Sequence, residues 1–230
     1  MTVYLLGKEP VFPPADEADP IGIIAVGGDL SPERLIAAYS KGIFPWYSEG
    51  EPILWWSPDP RLVLFPDEIH ISGSLRRLLN RNPFEITFDR SFDAIIEACQ
   101  QPRKYQGETW ITEEMITAYK RLHELGYAHS LEVRRNDEIV GGLYGVSLGR
   151  CFFAESMFHR VDNASKFGMV RFVQKLNELD FRIMDCQVSS SHLKTMGARE
   201  IPRKEFLDLL TESGQKENLK GSWSFLDDHK

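Results

Sequence analysis

The chain has 230 residues, which suits one large domain or one domain plus a small one. Hydrophobic residues make up 42% of it, including 14 Phe, 7 Tyr and 5 Trp, enough for a globular core. No segment approaches the roughly 18 apolar residues of a membrane span, and the start MTVYLLGKEP lacks a secretory pattern. A net charge of −7 argues against indiscriminate nucleic-acid binding.

The three cysteines (Cys99, Cys151 and Cys186) are an odd number and form no CxxC pair, and the histidines do not cluster. This pattern disfavours a disulfide framework and a structural metal site. We therefore expect a cytoplasmic protein without a metal site. As a separate expectation, we predict no bound cofactor.

Residues 1–60 are rich in Pro, Gly and Trp, and they carry three basic against nine acidic side chains. Their one clear helix spans residues 31–41, with Ser31 as N-cap, Pro32 at the first helical position and Gly42 as the stop. We predict a small N-terminal domain over residues 1–60 and a second domain over residues 61–230.

Residues 61–230 alternate strands and helices before a three-strand meander. Strands are predicted at RLVLFP and FEITF, and helices at ISGSLRRLLNRN, after Ser91 and after Thr112. A meander with turns at Asn136-Asp137 and Gly149 follows, then a long helix capped by Asn163 and a returning strand, FRIMDCQV. This order predicts an α+β fold, with a mostly antiparallel sheet flanked by helices. We expect the polar tail after residue 213 to be loosely held.

Polar side chains interrupt two of these strands. Glu155 lies inside FFAESMF, and Asp185 and Gln187 lie inside IMDCQV. A buried carboxylate costs several kcal/mol unless it is paired or functional. Strand alternation predicts that Asp185 and Gln187 point to the same face. These residues are the first indication of an active site.

Two further groups have open interpretations. Trp46, Trp55, Trp56 and Trp110 either pack against neighbouring elements or stack on a flat ligand. Arg76, Arg77 and Arg81 lie on one short helix without an acid, which suits either a solvated helix face or a phosphate clamp.

The order of meander, long helix and returning strand resembles the core of the GCN5-related N-acetyltransferases. In that superfamily, a Gly-rich link before the helix holds coenzyme A pyrophosphate at the helix N-terminus. The corresponding link here is HRVDNASKFG, which lacks that pattern. We therefore expect a different acyl donor.

A closer resemblance rests on nine strings taken together: VGGDLSPERL, GIFPWYS, PILWWSPDPR, ETWIT, AYKRLHELGYAHSLEV, GGLYGV, ESMFHRVDNASK, DCQV and GAREIPR. Over residues 22–206 the chain resembles the leucyl/phenylalanyl-tRNA–protein transferase family. The resemblance implies transfer of Leu or Phe, and less readily Met, from aminoacyl-tRNA to an N-terminal Lys or Arg of a protein. The product would carry a destabilising N-terminus, a mark for degradation.

The resemblance also implies roles for particular residues. Asp185 would be an electrostatic anchor, Gln187 part of a proton relay from the attacking amine, and Glu155 a group that holds the substrate amine. A rival mechanism gives the proton to the ribose hydroxyls of the tRNA. The amino-acid pocket would be lined by Leu143, Met157, Met169, Phe172, Leu176 and Met184. For Leu176, an ordinary core position is an equal alternative.

For the tRNA itself, the resemblance implies that Trp46 and Trp110 clamp the terminal adenosine and that Arg76, Arg77 and Arg81 grip the acceptor stem. Two competing functions stay open on the residues alone. One is a coenzyme A-dependent N-acetyltransferase, and the other is a non-catalytic module that binds tRNA or peptide.

Overall fold

The computed structural model of the protein describes residues 3–101 and 110–227. The strands in these ranges are, in chain order, β1 (Tyr4–Leu6), β2 (Ile23–Gly27), β3 (Phe44–Pro45), β4 (Leu54–Trp56), β5 (Arg61–Leu64), β6 (Glu85–Phe88), β7 (Ala128–Arg135), β8 (Glu138–Leu148), β9 (Cys151–His159), β10 (Ile183–Gln187) and β11 (Arg199–Ile201). The helices are α1 (Pro32–Ser40), α2 (Gly73–Arg81), α3 (Phe92–Gln100), α4 (Glu113–Glu124), α5 (Ala164–Glu178), α6 (Ser191–Lys194) and α7 (Arg203–Gly214). The loop predicted before Trp110 falls, over residues 102–109, outside the described residues.

The strands form two sheets. The small sheet has the order β1-β2-β4-β3, and the large sheet has the order β11-β5-β10-β9-β8-β7-β6. Every pair in the large sheet is antiparallel except β9 with β10, which run parallel. The predicted α+β class and the β7-β8-β9 meander are therefore confirmed.

The turns of the meander have the backbone that their residues favour. Asn136 and Asp137 both have positive φ, 51° and 64°, as a two-residue type I′ hairpin requires. Gly149 turns the chain between β8 and β9 at φ 58°, and a Cβ there would lie 2.1 Å from the carbonyl oxygen of Ser213. Only glycine fits that position, because the turn packs directly on the end of α7.

The helices begin where the sequence predicts, although not every cap is made by the expected side chain. Ser31 and Thr112 each accept a hydrogen bond from the backbone N–H of the third residue of the helix, Arg34 and Met115. Ser91 and Asn163 occupy cap positions, but neither side chain caps its helix. The Ser91 hydroxyl instead accepts a hydrogen bond from Arg134 at 2.8 Å.

Two apolar cores cover the two faces of the large sheet. One core joins the N-terminal elements, α3, α4 and α7 to the sheet, and it includes Leu35, Tyr39, Phe44 and Phe153. The other lies between the opposite face and α5. The small sheet ends before residue 60 and the large sheet begins at Arg61, yet the first core crosses this point. We keep the division into residues 1–60 and 61–230 as a proposal.

The expectation of a loosely held tail is wrong. Trp223 is buried and stacks on His129, with ring centroids 3.8 Å apart. Its backbone N–H donates to Asp89 at 2.7 Å, and Asp227 accepts from the backbone N–H of Phe88 at 2.7 Å. The prediction fails because three apolar residues, spaced among polar ones, contact the second core: Leu219, Trp223 and Leu226. In the described part of the chain, no helix has the length and apolarity needed to cross a membrane.

Candidate functional site

The site forms where two parallel strands part. Backbone pairing of β9 with β10 runs from Cys151 and Ile183 to Phe153 and Asp185. Beyond that point, Glu155 on β9 and Gln187 on β10 are joined through their side chains, with Gln187 Nε2 donating to Glu155 Oε1 at 2.9 Å. The gap between the separating strands opens a cavity at the middle of the sheet.

Neutral donors surround the Glu155 carboxylate. Tyr39 of α1 donates to Oε1 at 2.7 Å, and Tyr119 of α4 donates to Oε2 at 3.2 Å. The two tyrosine hydroxyls also contact each other. The carboxylate thus connects the N-terminal part, α4 and both central strands through hydrogen bonds.

Burial raises the pKa of Glu155 to about 7, because none of the described residues pairs a cation with it to offset the lost hydration. Hydrogen bonds from Tyr39, Tyr119 and Gln187 lower the pKa in part, and the nearby charge of Asp185 raises it. Burial also raises the pKa of both tyrosines well above the usual value, so they stay protonated and act as donors. Glu155 can therefore hold or release a proton near neutral pH.

Asp185 has a different environment. It is 0% exposed, and Arg61 at the start of β5 donates two hydrogen bonds to it, Nε to Oδ1 at 2.8 Å and Nη2 to Oδ2 at 2.7 Å. Oδ1 also accepts from the backbone N–H of Gln187 at 2.9 Å. Asp185 does not line the cavity. Its contacts are with the residues that shape the site.

Gln187 departs from regular strand geometry. Its φ is +63°, and the pairing register with β5 shifts between Asp185 and Gln187. The prediction that simple alternation places these two side chains on one face therefore does not describe this strand end, because the backbone turns at Gln187. The turn carries the Gln187 side chain to Glu155.

The cavity has a volume of about 320 Å³ and combines these polar groups with an apolar wall. The predicted site residues that line it are Trp46, Trp110, Leu143, Glu155, Met157, Met169, Met184 and Gln187. The other lining residues are Phe44, Pro45, Ala154, Ser156, Cys186, Val188, Ser190, His192 and Leu193. Three methionines and two leucines give a slot that adapts to unbranched or γ-branched apolar groups.

Two residues expected in the amino-acid pocket lie elsewhere. Phe172 is fully buried and packs against Phe88, Phe152 and Trp223, with the Phe152 ring 4.5 Å away. Leu176, one turn further along α5, is also fully buried in the second core. Neither side chain lines the cavity, because α5 turns only its Met169 position toward the cavity.

The tryptophans do not share one role: some suit packing against neighbouring elements and others suit stacking on a flat ligand. Trp55 is fully buried, and its indole Nε1 donates to the carbonyl of Gly27 at 2.9 Å, which is a packing role. Trp46 is 39% exposed, lines the cavity and packs on Trp56 with ring centroids 5.5 Å apart. Trp110 lines the same cavity. A large, partly exposed aromatic at a cavity rim suits stacking on a flat group.

Arg76, Arg77 and Arg81 lie on α2 and are exposed. Among the residues the structure describes, none of the three forms a salt bridge. They are not part of the cavity lining. The helix therefore presents unneutralised positive charge outside the cavity.

Sequence reasoning missed three residues that hold the site together, Arg61, Tyr39 and Tyr119. Arg61 had a detectable signal, since an arginine opening the apolar strand RLVLFP needs a buried partner if the strand is central. The tyrosines had none, because Tyr on an amphipathic helix is ordinary. His192 of α6 lines the cavity as well, and burial lowers its pKa.

All three cysteines are buried and free. Cys186 lines the cavity, and burial raises the pKa of its thiol far above the usual value, so it is a weak nucleophile. In residues 3–101 and 110–227, no group of three His, Cys, Asp or Glu side chains is arranged to hold a metal ion.

Some solved structures superpose in part on this chain. One is titled "The structure of L-PGS from Bacillus licheniformis"; it aligns at TM-score 0.41 and 12% identity over 73% of this chain and 53% of that chain. Another is titled as a GCN5-related N-acetyltransferase from Kribbella flavida, at TM-score 0.38 and 9% identity, covering 76% and 63%. The family of the chain is shown by its sequence relatives.

Two sequence models of one family match the chain. The model described as leucyl/phenylalanyl-tRNA protein transferase matches residues 63–211, and the model of that family's N-terminal domain matches residues 28–59. A leucyl/phenylalanyl-tRNA–protein transferase of Syntrophus aciditrophicus is 56% identical over 225 residues, 97% of this chain and 94% of the relative. A protein of the same name from Pseudomonas aeruginosa PAO1 is 56% identical over 212 residues, 91% and 94% of the two chains. The chain belongs to the leucyl/phenylalanyl-tRNA protein transferase family, and it is an aminoacyltransferase.

Proposed function

We propose that this enzyme transfers Leu or Phe, and less readily Met, from aminoacyl-tRNA to the N-terminal Lys or Arg of a protein. We further propose that the reaction takes place in the cytoplasm and marks the acceptor for N-end-rule degradation. The observation that carries the proposal is one cavity in which a methionine-lined apolar wall meets the Glu155–Gln187 pair and two tryptophans.

The apolar wall is proposed to bind the side chain of the donor amino acid. Leu143 of β8, Met157 of β9, Met169 of α5 and Met184 of β10 all line it. Unbranched thioether side chains shift easily, so the slot accepts Leu, Phe or Met. A β-branched Val or Ile has its bulk next to the Cα and is stiff at χ1, so it should adapt less well to this slot and be disfavoured.

The terminal adenosine of the tRNA is proposed to stack between Trp46 and Trp110. Base stacking on an aromatic side chain contributes roughly 1–3 kcal/mol. Trp56 supports Trp46, since its indole Nε1 donates to the Trp46 carbonyl at 2.7 Å. Outside the cavity, Arg76, Arg77 and Arg81 are proposed to contact phosphates of the acceptor stem.

The proposed reaction moves an acyl group between two nucleophiles. The neutral α-amine of the acceptor attacks the ester carbonyl, an amide C–N bond forms, and the ester C–O bond breaks. The nitrogen loses one proton and the ribose oxygen gains one, so no cofactor is needed. The ester is already activated, and the enzyme mainly orients the two groups.

Gln187 and Glu155 are proposed to handle the proton. Because the Gln187 amide N–H donates to Glu155, its amide oxygen is left to accept from the incoming amine. Glu155 lies behind the Gln187 amide, and with a pKa of about 7 it can take up a proton near neutral pH. The rival route, in which a neighbouring ribose hydroxyl relays the proton, predicts a large rate loss with a donor whose terminal adenosine is 2′-deoxy. The Gln187 route predicts a rate close to that of the normal donor.

The test of the proposal uses tRNA carrying radiolabelled Phe and a protein with N-terminal Arg. We expect label in the protein, none after ribonuclease treatment of the tRNA, and none with an acceptor whose N-terminus is acetylated. Absence of transfer under conditions in which Phe-tRNA binds would instead indicate a non-catalytic tRNA-binding module. Transfer of an acetyl group from acetyl coenzyme A would indicate an N-acetyltransferase.

A further inference from the structure

A buried ion pair lies directly behind the reaction site. Arg61 and Asp185 are both 0% exposed and joined by two hydrogen bonds of 2.8 and 2.7 Å. Removing both charges from water costs free energy that the pair's attraction rarely exceeds, so apolar residues would often stabilise a fold equally well. Such a pair gives little stability and is better explained by the geometry that it imposes.

The geometry that the ion pair imposes is the backbone conformation of Gln187. Its backbone is left-handed, at φ +63°, which is uncommon for any residue other than glycine. The backbone N–H at this turn donates to Asp185 Oδ1 at 2.9 Å, the same oxygen that Arg61 Nε contacts. The carboxylate therefore holds the turn, and the guanidinium holds the carboxylate.

Two aromatic rings fix the plane of the guanidinium. Its carbon lies 4.8 Å from the centre of the Phe44 ring and 4.6 Å from that of Phe206. Phe44 belongs to β3 and also lines the cavity, while Phe206 belongs to α7. A planar guanidinium that contacts two rings is held in one orientation. A lysine ammonium is flexible and has no plane, so it cannot reproduce this arrangement.

We propose that Arg61 is a positioning residue for the transfer reaction, and that it acts on Gln187 through Asp185. This inference rests on the proposed function, since it concerns the same amide that receives the attacking amine. Arg61 itself does not line the cavity. It sets the direction of the Gln187 amide without touching the substrate.

The experiment compares Arg61→Lys with a matched control, Arg34→Lys. Arg34 is also fully buried, and it donates to the backbone carbonyls of Gly7, Lys8 and Glu9 in the N-terminal part. We expect Arg61→Lys to lower kcat about 100-fold while the donor KM changes less than about threefold, because only orientation is lost. Arg34→Lys should keep the wild-type kcat in its folded fraction.

A second readout does not depend on activity. The side-chain amide of Gln187 is followed by NMR in protein labelled with ¹⁵N-glutamine, and its signal is assigned by its loss in Gln187→Glu. In the wild type and in Arg34→Lys, hydrogen bonding to Glu155 should slow exchange of one amide proton. Arg61→Lys should remove that protection. An unchanged Gln187 signal, or a loss of kcat equal to that in Arg34→Lys, overturns the inference.

If Arg61→Lys does not fold, the double variant Arg61→Met/Asp185→Leu replaces the pair with apolar groups of similar size. It should fold, lose kcat about 100-fold and lose protection of the Gln187 amide. Wild-type kcat or a protected Gln187 amide in this variant overturns the inference. Absence of transfer in the wild type would refute the proposed function, while the NMR result would still decide the role of Arg61.

Discussion

Two buried carboxylates lie on neighbouring strands of the large sheet, and their surroundings are opposite. Asp185 meets the guanidinium of Arg61, lies behind the cavity and has no access to a substrate. Within the described part of the chain, Glu155 accepts from the neutral donors Tyr39, Tyr119 and Gln187, and it lines the cavity. Burial raises its pKa to about 7.

The difference teaches which buried polar group is able to take part in chemistry. A carboxylate fixed by an arginine fork has its charge already neutralised, so it serves as a rigid support. A carboxylate held by tyrosine hydroxyls keeps its position but can still exchange a proton. Both carboxylates are buried in strands, which first indicated a site. They differ in their hydrogen-bond partners and in their access to the cavity.

The largest expected effect tests the support role of Asp185. Asp185→Ala leaves Arg61 buried without a counter-charge, which should lower the free energy of unfolding by about 3–5 kcal/mol. Urea unfolding at neutral pH measures it. The control is Glu178→Ala, which breaks a largely exposed ion pair with Lys175 and should cost about 1 kcal/mol or less. A loss for Asp185→Ala no greater than that of the control would contradict the comparison.

The second prediction concerns the proton on Glu155. Its folded pKa of about 7 lies above the ordinary value of 4.5, so the stability that it contributes is present below about pH 4.5 and is lost as pH rises through about 7. Glu155→Gln has no such loss. Between about pH 5 and about pH 8, the free energy of unfolding of the wild type should therefore fall relative to that of Glu155→Gln, by on the order of 3 kcal/mol. A difference between variant and wild type that does not change with pH would show that Glu155 does not titrate in this range.

The third prediction applies the same criterion, access to the cavity, to α5. Met169 lines the cavity and Phe172, nearly one turn further on, does not. Met169→Ala should raise kcat/KM for bulkier donors relative to Leu by about tenfold or more, a change of about 1–3 kcal/mol. Phe172→Leu is the control and should cost stability, about 1–2 kcal/mol, without changing donor preference. Competition between Phe-, Leu- and Ile-tRNA measures the preference. A changed donor preference in Phe172→Leu would show that Phe172 contributes to the pocket.

The smallest effect is expected far from both carboxylates, on α2. Changing Arg76, Arg77 and Arg81 together to Gln should weaken tRNA binding and reduce its salt slope by up to about one unit per lost phosphate contact. A triple variant that changes Lys8, Arg121 and Lys204 to Gln lowers the net charge equally and should leave the slope unchanged. Equal slopes in the two variants would mean that α2 is only a solvated helix face.

Much of the fold could be predicted because local patterns agree with it. The Asn136-Asp137 turn, the Thr112 cap and the apolar spacing of α5 each specify their element with contacts close in sequence. The tail was misjudged for the opposite reason. Trp223 is buried by a ring stack with His129, a partner almost a hundred positions away, which no local pattern reveals.

The candidate site was predictable in part. Polar residues inside strands identified Glu155, Asp185 and Gln187 as candidates, and the family resemblance supplied the pocket and the tryptophans. Sequence could not separate Met169 from Phe172, because both occupy apolar positions of one helix. It could not reveal the turn at Gln187 either, because left-handed backbone at a glutamine has no signature in composition or periodicity.

By itself, the sequence determined the α+β order, the meander, the helix starts and the family, since these depend on local propensity and on motifs read along the chain. The tertiary structure alone decided what each carboxylate does. Glu155 meets Tyr39 and Tyr119, and Asp185 meets Arg61, through contacts that span from 36 to 124 positions. Charge, hydration and proton affinity depend on neighbours in space, and folding, not spacing in the chain, brings these neighbours together.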